Sequence, residues 1–270
     1  CRTEREMNDE LRRKIALFCN VDVESVIQSI DASTIYEVPI LMKEEKLDQV
    51  VLKKLNIKNY NKTEFKKWTT FVRKVKNPKD SVDIGLIGKY VELQDSYKSI
   101  LESFVHAGAE NEVKVNVIPI HSEEINKSNL IELLSSLDGI LVAPGFGERG
   151  IEGKISAIQF ARENNIPFLG ICLGMQMAVI EYSRNVLNLA DANSTEMNND
   201  TSNPVISLME NQKNITEMGG TMRLGSWKCD LIKNTLAHRI YSKSKINERH
   251  RHRYELNFEY MDSLKSKGLF

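Results

Sequence analysis

Residues 166–180 read Ile166-Pro167-Phe168-Leu169-Gly170-Ile171-Cys172-Leu173-Gly174-Met175-Gln176-Met177-Ala178-Val179-Ile180, and this stretch decides the fold. A short apolar run ending at a glycine reads as a buried strand. Beyond Cys172 the apolar residues Met175, Ala178, Val179 and Tyr182 fall at helical spacing. Between strand and helix stands Gly170-Ile171-Cys172-Leu173-Gly174, a Gly-x-Cys-x-Gly turn and the cysteine counterpart of the hydrolase nucleophile elbow. The turn is too tight for side chains on its flanks, so Gly170 and Gly174 let strand and helix approach closely. Cys172 is expected to rise from the sheet at the helix N-terminus, where unpaired N–H groups and the helix dipole favour thiolate over thiol. A thiolate beside backbone donors is equipped to attack a carbonyl carbon. A lone cysteine at a strand end is more often a packing residue. The paired glycines and the strand-to-helix switch turn this one toward a nucleophile.

Working outward, strands are expected at Val82–Tyr90, Val113–Ile120, Gly139–Pro144 and Ile166–Ile171, with helical patterns at Ser96–Ala107, Asn129–Ser136, Lys154–Glu163 and Leu173–Arg184. Strict alternation of strand and helix argues for an α/β fold, an open and mostly parallel sheet with helices on both faces. In such sheets ligands gather beyond the carboxyl ends of the strands. Cys172 lies at one such end, and Ala143-Pro144-Gly145-Phe146-Gly147 closes another. That Pro-Gly-x-Gly stretch is either a plain turn or a donor loop. With two such ends in one sheet, the Gly145 and Leu173 amides are candidates for an oxyanion hole around Cys172.

The 270 residues are 41% hydrophobic and 27% charged, as in an ordinary water-soluble globular protein. Basic and acidic residues balance at 37 each, which gives no global pull toward nucleic acid or membrane. The sequence carries no apolar run of membrane-spanning length and no leader pattern, and its four cysteines are scattered, so a reducing cytoplasmic setting is expected. The spacing of Cys1, Cys19, Cys172 and Cys229 matches no zinc pattern, and no metal ligands are expected. The start at Cys1 and the turn-like Lys267-Gly268-Leu269-Phe270 suggest an internal piece of a longer polypeptide.

Residues 1–59 are too short and irregular to bury a good core alone and read as the tail of a preceding domain. Residues 60–81 read as a linker, and residues 82–270 as the α/β domain. The basic stretch from Asn56 to Lys79, with Trp68 and Phe71 interspersed, is either a nucleic-acid patch or a solvated helix; the absence of a wider basic excess favours the helix. After Ala190 the alternation gives way to short strands and loops. Arg249-His250-Arg251-His252-Arg253-Tyr254-Glu255 has three readings: a phosphate or nucleic-acid patch, an edge strand with charges facing water, or an anion clamp through an Arg fork. The residues alone do not choose among them.

Four stretches carry a resemblance: Gly170 to Gln176, Asn193-Ser194-Thr195-Glu196, Gly219-Gly220-Thr221-Met222-Arg223-Leu224-Gly225, and Arg249 to Glu255. Together they closely resemble the CTP synthase family, and more specifically its class I glutamine amidotransferase domain. The opening Cys1-Arg2-Thr3-Glu4-Arg5 and Lys14-Ile15-Ala16-Leu17-Phe18-Cys19-Asn20 are similar to the end of that family's synthetase (amidoligase) domain. The resemblance implies a cysteine that takes ammonia from glutamine and a second site that aminates UTP to CTP with ATP and Mg²⁺. By motif it makes Cys172 the nucleophile and places glutamine against Gly145, Leu173, Gly174, Met175 and Gln176. Glu196 and Arg253 would hold the substrate's amino and carboxylate ends, as a zwitterion needs one carboxylate and one guanidinium. Lys14 resembles a residue of the pyrimidine nucleotide site, and Ala32 one whose backbone meets ATP. Arg149, Gly150 and Glu152 fall in a loop linked in the family to activation by GTP. The family is typically a homotetramer.

One departure is large. The family's base and its orienter come as His-Pro-Glu beyond the Arg-rich stretch, and none of His106, His121, His238, His250 and His252 precedes Pro-Glu. His121-Ser122-Glu123 has His-x-Glu spacing but lies upstream of the nucleophile and is not expected to serve. His250 and His252 are expected to support the Arg clamp. These 270 residues alone are therefore expected not to turn over glutamine. The alternative is a non-catalytic binding or assembly module that keeps the elbow as architecture.

Overall fold

A computed structural model of the chain describes residues 1–58, 60, 64–208 and 223–269. It forms two compact units, one of Cys1–Val82 with Ile100–Val115, the other of Asp83–Ser99 with Asn116–Phe270.

In the first unit, strand β1 (Arg2–Thr3) leads to helix α1 (Asp9–Cys19), and β2 (Ser29–Ile30) returns to pair parallel with β1. The Asn8 side chain caps α1 by accepting from the Leu11 N–H at 2.9 Å, with Asp9 and Glu10 in the first turn complementing the dipole. Short helices α2 (Val38–Glu44), α3 (Leu47–Lys54) and α4 (Lys66–Lys76) follow. The buried apolar cluster is small, Met7, Ala16 and Val26. A two-pronged Arg12–Glu45 pair, at 2.7 and 2.9 Å, ties α1 to the end of α2. Basic α4 turns its aromatic residues onto Tyr36: the Trp68 indole N–H donates to the Tyr36 carbonyl at 2.8 Å, and the Phe71 ring lies 5.1 Å from the Tyr36 ring.

The second unit is organised by a four-stranded sheet. Along the chain come strand β3 (Asp80–Gly88), helix α5 (Lys98–Asn111, nearly all of it in the first unit), β4 (Val113–His121), α6 (Leu130–Leu134), β5 (Gly139–Val142), α7 (Ile151–Glu163), β6 (Phe168–Gly170) and α8 (Leu173–Asn185). The strand order is β4-β3-β5-β6, with β3, β5 and β6 mutually parallel. All of β5 is buried, as its uninterrupted apolar run requires of a central parallel strand. Helices α7 and α8 pack on β5 and β6, with Ile158, Met177 and Ile180 in one core with Ile87, Ile140 and Val142. The mostly parallel sheet with helices expected from the sequence is what forms.

Several boundaries shift by one to four residues, among them Val82–Tyr90 to Asp80–Gly88 and Ser96–Ala107 to Lys98–Asn111, and two of the shifts have a local reason. Pro167 has no N–H, and the Ile166 N–H is taken by the Ala161 carbonyl at 2.9 Å, so pairing of β6 begins at Phe168. Helix α7 starts three residues before the expected Lys154, on a Gly150 N-cap with φ of 73°.

Register fixes the site. Ile87 lies opposite Val142, and Val142 opposite Gly170. The segments leaving β3, β5 and β6 therefore emerge side by side. They carry Lys89, Gly145 and Cys172.

Beyond α8 the chain forms β7 (Asn193–Ser194), β8 (Pro204–Leu208), β9 (Arg223–Asp230), α9 (Leu236–Tyr241), β10 (Lys245–His252), β11 (Tyr254–Leu256) and α10 (Met261–Ser266). Strands β11, β8 and β7 make a small sheet in that order, while β9 and β10 pair as an antiparallel ribbon. Of the expected motif at Gly219–Gly225, residues 219–222 lie outside the described residues; Leu224 and Gly225 are in β9.

Candidate active site

Cys172 caps α8 in a conformation that L residues rarely adopt, φ 53° and ψ −107°. Strain of this kind persists only where the surroundings over-determine it. Here they do. A Cβ on Gly174 would lie 2.2 Å from the Val142 carbonyl oxygen, and one on Gly170 would meet the Gly174 backbone at 2.5 Å. Strand and helix are pressed together at the two glycines, and the residue between them is forced outward. Cys172 is half-buried rather than sealed in the interior.

The backbone N–H groups of Leu173 and Gly145 both lie near enough to the Cys172 sulfur to favour its charged form. One donor comes from the first residue of α8 and the other from the loop after β5. These are the two amides expected of an oxyanion hole. The thiol itself behaves differently from expectation: it is pushed up, not down. Burial is the largest cause and Glu196 adds to it; the Leu173 and Gly145 amides and Lys154 oppose them without prevailing. The helix N-terminus therefore does not by itself make Cys172 a thiolate. Desolvation wins because a half-buried sulfur loses more hydration than two amides return.

Glu196, just after β7, accepts from the Gly147 N–H at 3.1 Å and so joins the Gly145 loop. On the other side of that peptide, the Phe146 carbonyl accepts from Lys89 Nζ, which also lies 4.5 Å from the centre of the Phe146 ring. Gln176 is buried, and its side-chain amide donates to the Tyr254 carbonyl at 3.2 Å. That bond draws Arg253, the neighbour of Tyr254, to α8 at the point where the chain passes from β10 to β11. Gly174 lies in the elbow, and Met175 is exposed. Cys172, Gly145, Leu173, Gly174 and Glu196 are thus gathered at one place, with Gln176 and Arg253 linked to it through Tyr254.

The other expected residues lie elsewhere on the two units. Arg149 pairs with Glu123 at 2.9 Å and sits 5.7 Å from the Tyr90 ring centre; Gly150 caps α7, and Glu152 pairs with Arg184 at 3.0 Å. In the first unit Lys14 is exposed and paired with Glu10 at 2.7 Å, while Ala32 lies between β2 and the turn before α2. Of the histidines, His121 accepts weakly from the Glu123 N–H at 3.4 Å. His250 and His252 face each other at 3.3 Å on the ribbon, with Cys229 3.7 Å from His250. Among the described residues no three or more His, Cys, Asp or Glu gather as for a metal ion, and no helix is long and apolar enough to cross a membrane.

Sequence reasoning missed two lysines. Lys89 is buried under the Gly145 loop, and Lys154 is fully buried on α7. The signal for Lys154 was present: it shares a helical face with Ile151, Ile155 and Ile158, where a lysine is out of place.

Comparison with known proteins shows the chain's relatives. The family model described as glutamine amidotransferase class-I matches residues 92–268, and that described as CTP synthase N-terminus matches residues 1–57. The chain is 68% identical over 269 residues to a CTP synthase of Flavobacterium johnsoniae, covering all of this chain and 50% of that protein. It is 52% identical over 275 residues to a CTP synthase of Methanocaldococcus jannaschii, again over all of this chain and 51% of the relative. The chain spans about half the length of the curated relatives it matches. Among solved structures it is similar to the glutaminase domain of the Trypanosoma brucei CTPS with bound acivicin, at TM-score 0.65 and 40% identity, over 69% of this chain and 72% of that one. The resemblance read from the motifs therefore extends over the whole chain, at both its synthetase-like beginning and its amidotransferase-like remainder.

Proposed function

The chain belongs to the class I glutamine amidotransferase family, and from that premise we propose that Cys172 attacks the side-chain amide of glutamine. The observation that carries this reading is the convergence of the Gly145 and Leu173 N–H groups on the Cys172 sulfur at a strained elbow. Sulfur adds to the amide carbon, and the oxygen that becomes negative is received by those two amides. The C–N bond then breaks, the nitrogen takes a proton and leaves as ammonia, and water hydrolyses the glutamyl thioester. Because burial raises the Cys172 thiol, a base must remove its proton as it attacks. Glu196 and Arg253 bind the amino and carboxylate ends of the substrate.

The wider reading takes the relatives' name, CTP synthase, together with the motifs of this chain. Residues 1–59 close a synthetase domain, 60–81 link it, and 82–270 supply ammonia for amination of UTP to CTP with ATP and Mg²⁺ in a homotetramer. Lys14 is exposed and its partner Glu10 is exposed too, so that ion pair is weak and the ammonium is available to a nucleotide phosphate. Ala32 offers only its backbone. Arg149, Gly150 and Glu152, at the start of α7, form the GTP-responsive loop.

The test is alkylation of Cys172 followed by mass spectrometry, with and without glutamine, alongside an ammonia assay. Glutamine is expected to protect Cys172 selectively. Residues 1–270 alone are expected to release no ammonia, since no histidine precedes Pro-Glu. Normal ammonia release would refute the role given to that missing motif. Failure of glutamine to protect Cys172 would favour a non-catalytic binding or assembly module.

A further inference from the structure

Lys154 is the most anomalous side chain in the second unit. It is 0% exposed, and Nζ has no hydrogen-bond partner among the described residues. It stands one turn inside the N-terminus of α7, where the helix dipole disfavours a cation. Its nearest cationic neighbour, Lys89, repels it. An ammonium with none of the usual compensations is retained only if something nearby carries negative charge, at least transiently.

Two observations locate that charge. A Cβ built on Gly145 would lie 3.7 Å from Lys154 Nζ, which puts the ammonium directly behind the residue whose N–H reaches the Cys172 sulfur. The electrostatic influence of Cys172 on Lys154 is mutual and attractive: each favours the charged form of the other.

We propose that Lys154 is a positioning residue for the nucleophile, a buried cation that stabilises the Cys172 thiolate and the oxyanion beside it from behind the Gly145 loop. It does not touch substrate. It acts through the sulfur and through the donor loop, in a water-excluded place where a charge is felt strongly. The groups that face it are Lys89, which opposes its charge, and Cys172, which favours it; Glu196 acts on the same sulfur in the opposite sense. Burial together with Lys89 brings the Lys154 ammonium down to about 8, so it is mostly charged at neutral pH. This inference rests on reading Cys172 as the nucleophile, but its test does not need turnover.

The test measures the rate of Cys172 alkylation by iodoacetamide against pH in the wild type, Lys154→Met and Lys154→Arg, with thermal unfolding in parallel. Methionine is apolar and of similar length. It is expected to leave unfolding cooperative and no lower in temperature, while slowing alkylation at pH 7 by about tenfold, equal to roughly one pH unit in the thiol profile. Lys154→Arg is expected to recover most of the rate. An unchanged pH profile in Lys154→Met would overturn the proposal. So would loss of cooperative unfolding in that variant, because the ammonium would then be part of the packing rather than a burden on it. If glutamine fails to protect wild-type Cys172 while Lys154→Met still shifts the thiol, the glutaminase reading falls and the electrostatic role of Lys154 stands.

Discussion

The Gly147 N–H donates to Glu196 Oε1 at 3.1 Å, while the Phe146 carbonyl of the same peptide accepts from Lys89 Nζ. One peptide plane is thus held from both sides by opposite charges, which fixes the loop whose Gly145 N–H reaches Cys172. Charge-assisted bonds of this kind are stronger than neutral ones. Glu196 therefore has a structural duty in addition to the proposed contact with the substrate ammonium. Glu196→Ala is expected to raise the glutamine concentration needed to protect Cys172 by about 10–100-fold, as for loss of a hydrogen bond to a charged group. Glu196→Gln keeps an acceptor for Gly147 but loses the charge. A protection curve unchanged in Glu196→Ala would remove both roles.

Gly174→Ala tests the elbow. The added Cβ would sit 2.2 Å from the Val142 carbonyl oxygen, a backbone atom of the central strand that cannot move aside cheaply. The expected cost is about 3 kcal/mol, read from denaturant unfolding, with slower Cys172 alkylation even in the folded fraction. Equal stability of variant and wild type would mean that strand and helix are not pressed together as described.

Arg162 and Glu181 tie α7 to α8. Glu181 is 1% exposed; its carboxylate accepts from Arg162 Nε at 3.1 Å and Nη2 at 2.7 Å, and from Asn185 at 3.0 Å. Arg162→Ala strands that carboxylate in the interior and is expected to cost about 3 kcal/mol. The double variant Arg162→Ala with Glu181→Leu should recover most of the loss, and a thermodynamic cycle on unfolding checks it.

Lys154 also makes a prediction for stability against pH. In the unfolded chain it keeps its proton to near its ordinary value of 10.5, whereas in the folded protein it releases it near 8. Between those values the unfolded state binds more protons, so stability rises with pH through this window. At neutral pH the buried ammonium costs about 3 kcal/mol, taking 1.36 kcal/mol per pH unit. Lys154→Met should be the more stable protein at pH 7, with the difference shrinking toward pH 10.5. Denaturant midpoints that keep a constant difference across that range would contradict this.

Asp191 works in the opposite sense. The Ser202 hydroxyl, the Asn203 amide and the Ser202 N–H bring its carboxyl down to about 2. Its contribution is present above the ordinary value of 3.8 and is lost as pH falls through about 2. Asp191→Ala is expected to be less stable than wild type at pH 5, and to lose less further stability between pH 4 and 2. Parallel acid-unfolding curves would exclude it.

The sequence alone determined the sheet, its alternation with helices and the elbow at Cys172. Those features rest on short-range physics: apolar periodicity and the close approach that Gly170 and Gly174 permit. That the segments carrying Gly145 and Leu173 lie together was also legible, because parallel strands with aligned ends present their following loops together. Tertiary structure alone decided the electrostatics. Whether a helix N-terminus or desolvation governs Cys172 depends on how much of the sulfur is covered, and spacing does not encode that. Lys89 lies 57 residues from Phe146, and Lys154 lies 18 residues from Cys172; strand register and helix packing bring both lysines to the Gly145 loop. Local patterns name the elements and the proposed nucleophile; the charges around that sulfur converge only when the core closes around them.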